Sequence, residues 1–150
     1  MRYLIVVDMQ NDFVTGSLGS KMAEMIVPAV CEKIRRYKAQ GSTVFMTLDT
    51  HFKDYLETPE GKKLPVEHCI KGTEGWQPET QVAEAIGGSA EVYEKSTFGS
   101  AELAQHLAEI TKAGDEIELC GLCTDICVVS NALLIKAFCP ECEVIVDANA

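Results

Sequence analysis

Residues Tyr3-Leu4-Ile5-Val6-Val7 form an unbroken apolar run, rich in β-branched side chains and stopped by Asp8. A strand with one wet face alternates apolar and polar residues. An unbroken run suits a strand covered on both faces, as in a parallel sheet. The motif recurs down the chain. Thr43–Leu48 is a second such strand, ending at Asp49. Ala90–Glu94 is a short, weaker third strand before Lys95. Glu116–Cys120 is the fourth, and Glu143–Val146, ending at Asp147, is the fifth.

Helical periodicity fills the intervals. Ala23, Ile26, Val27, Val30, Ile34 and Tyr37 recur at helical spacing and predict an amphipathic helix over roughly 22–39. Pro28 interrupts it and offers Val27 or Pro28 as an alternative start. Residues 79–87 and 100–112 predict two further helices, the second with His106 on its polar face and no role assigned to it. Another helix follows the fourth strand. Residues 10–20 read as loop, and 50–79 as a long irregular stretch of the kind that carries function or stays disordered. Strands alternating with helices predict an α/β fold: three layers, with a mostly parallel sheet flanked by helices. The 150 residues make one domain, 1–150. A doubly wound sheet would cover its fifth strand with another helix. The expectation is therefore a C-terminally truncated domain lacking a helix and a last strand, or one completed by a partner.

The net charge of −10 argues against nucleic acid and anionic membrane surfaces as partners. No apolar run approaches the roughly 20 residues of a membrane helix. Met1-Arg2 leads straight into the first strand, so no secretory signal is read there. Seven cysteines, an odd count clustered late in the chain, fit reduced thiols in the cytoplasm better than a disulfide framework.

Ligands of open parallel sheets bind outside the carboxyl ends of the strands. Here those ends carry Asp8, then Asp49 and His51, then Lys95, then Cys123 to Cys127. Gly121 permits a sharp turn after the fourth strand. With Thr124 or Asp125 as helix cap, Cys127 falls in the first helical turn; with Thr124 it is the third helical residue. Free N–H groups and the helix dipole there favour a thiolate, although a buried helix-start cysteine fits the same pattern. Asp49, His51 and His68 are ligand types for a divalent cation with open positions, although two histidines in a polar loop also occur by chance.

The Asp8 segment Val-Asp-Met-Gln-Asn-Asp-Phe, the Lys95 segment Glu-Lys-Ser-Thr-Phe and the Cys127 segment Gly-Leu-Cys-Thr-Asp-Ile-Cys-Val together resemble the motifs of the isochorismatase-like cysteine hydrolases, and among them the nicotinamidases. The likeness spans the whole chain in order and spacing. It implies the fold just described, and an amidase with a Cys127-Asp8-Lys95 triad. Cys127 would attack the amide carbonyl, Asp8 would act as general base and acid, and Lys95 would support both charges. It implies a cis Leu122–Cys123 bond that turns the N–H of Cys123, with that of Cys127, toward the oxyanion. It implies a metal site of Asp49, His51 and His68, holding zinc or alternatively iron or manganese. Phe13 and Leu122 would contact the substrate. A small-molecule amide, hydrolysed in the cytoplasm by a homo-oligomer, completes the expectation. Nicotinamidases commonly carry a tryptophan before the proline that precedes the histidine, where this chain has Leu64-Pro65-Val66-Glu67-His68. Trp76 either replaces it or anchors a loop.

Two rival readings remain at this level. A metal-independent amidase of the same superfamily would act on a carbamoyl or ureido substrate, leaving His51 and His68 structural. A Cys-rich metal-binding or redox protein would use Cys120, Cys123 and Cys127 together with the Cys139-Pro140-Glu141-Cys142 pair.

Overall fold

β1 (Arg2–Val7) lies at the centre of the sheet. In the computed structural model, which describes residues 1–150, its alternate residues serve two cores. Leu4 and Val6 face one side, and Tyr3, Ile5 and Val7 face the other. This is why the run has no polar member: the period-two strand meets an apolar layer whichever way a side chain points.

In chain order the elements are β1, α1 (Asn11–Val14), α2 (Lys21–Ala39), β2 (Thr43–Asp49), α3 (Pro59–Lys63), α4 (Thr80–Ile86), β3 (Glu91–Lys95), α5 (Ala101–Ile110), β4 (Glu116–Gly121), α6 (Val129–Phe138) and β5 (Glu143–Val146). All five strands pair in parallel, in the order β3-β2-β1-β4-β5. α2 and α4 contribute Val27, Val30, Ile34, Val82 and Ile86 to the first core. α5 and α6 contribute Leu103, Leu107 and Ile135 to the second. The three-layer α/β prediction stands. No helix is long and apolar enough to cross a membrane.

The helix expected over roughly 22–39 is present, its alternative start at Val27 or Pro28 is overturned, and two loop expectations are corrected. α2 begins at Lys21, where the Ser20 hydroxyl accepts the Ala23 N–H at 3.1 Å, and it runs through Pro28. Pro28 lies on the exposed face, so the Glu24 carbonyl it leaves without an N–H faces water. Residues 10–20 are not all loop, because α1 forms there. The stretch 50–79 is more ordered than its prolines suggest. Thr58 caps α3 by accepting the Gly61 N–H at 3.1 Å, Pro59 occupies its first position, and a 3-10 turn at Tyr55–Glu57 precedes it.

One charged group sits inside β4. Glu118 meets Lys33 and Tyr37 of α2, and Lys33 Nζ lies 2.6 Å from Asp147 as well. A lone carboxylate could not be buried there; the ion pair and the tyrosine hydroxyl make it tolerable. His106 is also placed differently from expectation. It is half-buried, bonds Tyr93 Oη and sets its ring 5.6 Å from that of Phe45.

Candidate active site

The strand register brings the first three end residues together. Asp49 pairs with Lys95 across β2 and β3, and Val7, just before Asp8, pairs with Thr47 across β1 and β2. Asp8 leaves the strand with φ 48°, in the left-handed region that few non-glycine residues occupy. Such a conformation costs about 1–3 kcal/mol and is a feature of functional sites. Asp8 is fully buried. Its Oδ1 accepts the Thr47 hydroxyl at 2.7 Å, and Lys95 Nζ lies 2.7 Å from its Oδ2. The same ammonium lies 3.6 Å from Asp49 Oδ1 and donates to Thr97 O at 3.1 Å. Burial pushes the Asp8 carboxyl up, against the pull of Lys95. Lys95 itself is raised: its burial is outweighed by Asp8, Cys127 and Asp49.

Beside this pair lies the candidate metal centre. One donor atom each from Asp49, His51 and His68 falls within 4.8 Å of the others. Asp49 Oδ2 is 3.0 Å from His51 Nε2 and 3.3 Å from His68 Nε2. His68 Nδ1 sits 2.8 Å from Val66 O, a contact that needs the proton on Nδ1 and leaves Nε2 as the free donor. Glu60 of α3 adds a fourth group, its Oε2 3.3 Å from His51 Nε2 and 3.9 Å from His68 Nε2. Asp49 Oδ1 and Glu60 Oε2 are buried without a hydrogen-bond partner. Two imidazoles converge with Asp49 Oδ2 and the unpartnered Glu60 Oε2, a donor set that fits a divalent cation such as zinc, iron or manganese. Burial raises the Asp49 carboxyl, but the neighbouring His51 and His68 and the charge of Lys95 hold it far below its usual range. Burial lowers His68, and Asp49, Val66 and Glu60 more than reverse this, leaving it raised.

Cys127 reaches the same edge from β4. Gly121 has φ 114°, and a Cβ there would lie 2.2 Å from Val7 O, so only glycine lets β4 pass this close to β1. Leu122–Cys123 is a cis peptide. A π-helical turn, Thr124–Val128, then leads into α6. Neither Thr124 nor Asp125 caps it: Cys123 is the flanking residue, makes no side-chain cap bond, and leaves Cys127 at the fourth helical position. The thiol is buried, and burial together with Asp8 and Asp49 pushes it up, Lys95 opposing. The expected resting thiolate is thereby corrected, because desolvation and carboxylate charge outweigh the helix terminus. The Cys123 N–H donates no backbone hydrogen bond. Its thiol is also raised by burial.

Three supporting residues escaped the sequence reading. Gln10 spans the β1 and β2 ends: its Nε2 donates to Asp49 O and Trp76 O, both at 2.9 Å, and its Oε1 accepts the Asp49 N–H at 2.8 Å. Asn131 joins the cysteine turn to the loop after Lys95, donating to Cys127 O at 2.8 Å and Phe98 O at 3.2 Å and accepting from Ser100 N at 2.9 Å. Glu60 had a usable signal. Thr58-Pro59-Glu60 reads as cap, first position and first-turn acid, which places a short helix there.

A cavity of about 830 Å³ opens beside the metal centre, with His51, Tyr55, Glu60, Leu64, Phe98 and Ile126 in its wall. Phe13 and Leu122 are not among its lining residues. Phe13 is buried with its ring 5.5 Å from that of His68, and Leu122 is half-buried against the first core. Trp76 anchors a loop: its Nε1 donates to Thr50 Oγ1 at 3.0 Å. Cys139 and Cys142 lie at the opposite, N-terminal edge of the sheet beside the start of β5, so the five Cys-rich positions do not converge on one metal.

The isochorismatase domain model matches residues 2–150. The chain belongs to the isochorismatase family. It is 30% identical over 148 residues to PncA, an isochorismatase family protein of Bacillus subtilis strain 168, covering 87% of this chain and 75% of that protein. It is similar to the crystal structure of nicotinamidase/pyrazinamidase PncA from Bacillus subtilis, with TM-score 0.84 and 27% identity over 99% of this chain and 85% of that one. N-carbamoylsarcosine amidase from Thermoplasma acidophilum follows with TM-score 0.82 and 26% identity over 99% and 82%. This isochorismatase-family hydrolase therefore has relatives in two amidase groups. The resemblance read from its three motifs was correct at the level of the family.

Proposed function

We propose that this family member is a nicotinamidase, hydrolysing nicotinamide to nicotinic acid and ammonia through a thioester on Cys127. The observation that carries the reading is the buried Asp49-His51-His68 cluster, with Glu60 against it, beside the Asp8–Lys95 pair. A divalent cation held by those four groups would take the ring nitrogen of the substrate as a further ligand and so orient its amide. Phe13 and Leu122 would bound the ring.

Asp8, ionised beside Lys95, takes the Cys127 proton as Sγ attacks the carboxamide carbon. The raised thiol makes this transfer part of the attack rather than a step completed before it. The N–H groups of Cys123 and Cys127 stabilise the oxyanion, a donor of this kind supplying roughly 3–4 kcal/mol. Asp8 returns its proton to the leaving ammonia. It then takes a proton from water, whose oxygen attacks the thioester; the C–S bond breaks, the acid leaves, and Asp8 passes that proton to the Cys127 thiolate. Lys95 keeps its charge throughout and offsets the negative charge that moves between Asp8 and the substrate. A small amide substrate, a cytoplasmic location and self-association belong to the same reading.

The second reading, an amidase for a carbamoyl or ureido substrate needing no cation, draws on the nearly equal likeness to N-carbamoylsarcosine amidase. Ammonia release from nicotinamide and from N-carbamoylsarcosine, before and after chelation, separates the two. The nicotinamidase reading expects release from nicotinamide that chelation abolishes and Cys127→Ser eliminates, while Cys123→Ala is mild because its N–H remains. Turnover of the carbamoyl compound alone, unaffected by chelation, would refute it.

A further inference from the structure

The Cys139-Pro140-Glu141-Cys142 segment is used by nothing described so far. It lies between α6 and β5, at the edge of the sheet remote from Cys127. Both side chains are buried and both thiols are free, and Cys142 Sγ donates to Lys112 O at 3.5 Å. Cys142 N donates to Cys139 O at 3.1 Å, so the four residues form a closed turn. Such a turn holds its end Cα atoms within about 7 Å, and a disulfide spans Cα atoms about 4.4–6.8 Å apart. The turn is braced from outside. Lys136 Nζ donates to Pro140 O at 3.0 Å and to Cys142 O at 2.8 Å, and Glu141 O accepts the Gly114 N–H at 3.0 Å. Pro140 fixes its own φ. A cavity of about 190 Å³ reaches both cysteines, with Thr111, Lys112 and Phe138 on its other walls.

We propose that Cys139 and Cys142 form a second thiol site, a dithiol that low-molecular-weight disulfides oxidise reversibly to a Cys139–Cys142 disulfide. One thiolate attacks a sulfur of the small disulfide, forming a mixed disulfide and releasing the first small thiolate. The other cysteine gives its proton to solvent and attacks the mixed disulfide at the protein sulfur, expelling the second small thiolate. The protein loses two electrons and two protons; the small disulfide is reduced to two thiols. The turn supplies the proximity, holding the two Cα atoms within the reach of a disulfide.

The test uses the full chain equilibrated with mixtures of reduced and oxidised glutathione, quenched by acid, alkylated with iodoacetamide under denaturing conditions and cleaved with trypsin. The peptide 137–150 carries Cys139 and Cys142 and no other cysteine. The expected result is its conversion from the doubly alkylated form to one lighter by two hydrogens and unalkylated, rising with oxidised glutathione and reversed by dithiothreitol. The folded protein should convert at a lower proportion of oxidised glutathione than the same chain in urea. Cys142→Ser should accumulate a glutathione adduct on Cys139. Double alkylation across the whole series would overturn the proposal. So would cross-links from this peptide to other cysteines, or equal conversion in urea.

Discussion

Lys95 is the group whose removal the site can least absorb. Asp8 is fully buried with Lys95 Nζ at 2.7 Å, and Asp49 lies within 3.6 Å of the same ammonium. At an effective dielectric of about 20, a charge pair at that first distance attracts by roughly 6 kcal/mol before desolvation is counted. Lys95→Met keeps the volume and deletes the charge. The buried Asp8 carboxylate then has one escape, which is to bind a proton, and burial already pushes it that way. Protonating a carboxyl of ordinary value 3.8 at pH 7 costs about 4 kcal/mol. That figure caps the loss and agrees with the roughly 3–5 kcal/mol typical of a broken buried pair. The sign follows from linkage. In the variant, Asp8 is neutral when folded and ionised when unfolded, so the folded state binds the extra proton and the penalty shrinks as pH falls. Near pH 5 it should be only about 1.5 kcal/mol. Urea unfolding of both proteins at the two pH values measures this. With a slope near 2 kcal/mol/M, the midpoint gap should be roughly 2 M at pH 7 and under about 1 M at pH 5. Lys95→Met with Asp8→Asn should recover most of the stability while remaining inactive. A loss independent of pH, or a double variant no better than the single one, would refute the reasoning.

Three further outcomes are expected. Glu60→Gln should weaken divalent-cation binding by roughly 10–100-fold in calorimetry, since it removes the negative charge of one converging carboxylate; unchanged affinity would exclude Glu60 from the site. Asn131→Ala should cost roughly 2–4 kcal/mol in urea unfolding and lower turnover, because it strands Cys127 O, Phe98 O and the Ser100 N–H together. Glu118 is raised by burial but lowered further by Lys33 and Tyr37, and Asp147 is lowered by Lys33. The stability they add is complete above their ordinary values of 4.5 and 3.8 and is lost as pH falls through the depressed ones, so Glu118→Gln should flatten the decline of the urea midpoint below pH 4.5.

The fold was legible wherever a strand was buried on both faces. β1 and β2 carry no ambiguity, because an apolar run that short, ending in an acid, has few other uses. The helix register of α2 was equally plain, but its start was not. Pro28 looks like a boundary in sequence because propensity counts the missing N–H as lost; whether the orphaned carbonyl finds water depends on which face meets solvent, and that is a tertiary fact. The 50–79 stretch misled for a related reason. Its order comes from side chains reaching distant backbone, as when Asn11 Nδ2 donates to Glu74 O at 2.8 Å and Asp12 accepts the Cys69 N–H at 2.8 Å. Periodicity carries no trace of such contacts.

The site divides along the same line. Asp8, Asp49, Lys95 and Cys127 could be named because a parallel sheet sends every strand end to one edge, so topology alone makes them neighbours. Gln10 and Asn131 could not, since each acts through a partner that only the folded loops supply; for Glu60 the sequence signals a helix start but not the histidines beside it. The thiol was the sharper failure. A helix start argues for thiolate, and that argument treats the dipole as acting alone. In the assembled site the same convergence that brings Lys95 to Cys127 brings Asp8 and Asp49 too, in a setting from which water is excluded, and the two carboxylates with the desolvation win. The placement that makes Asp8 a usable base for Cys127 is thus also the placement that raises its thiol.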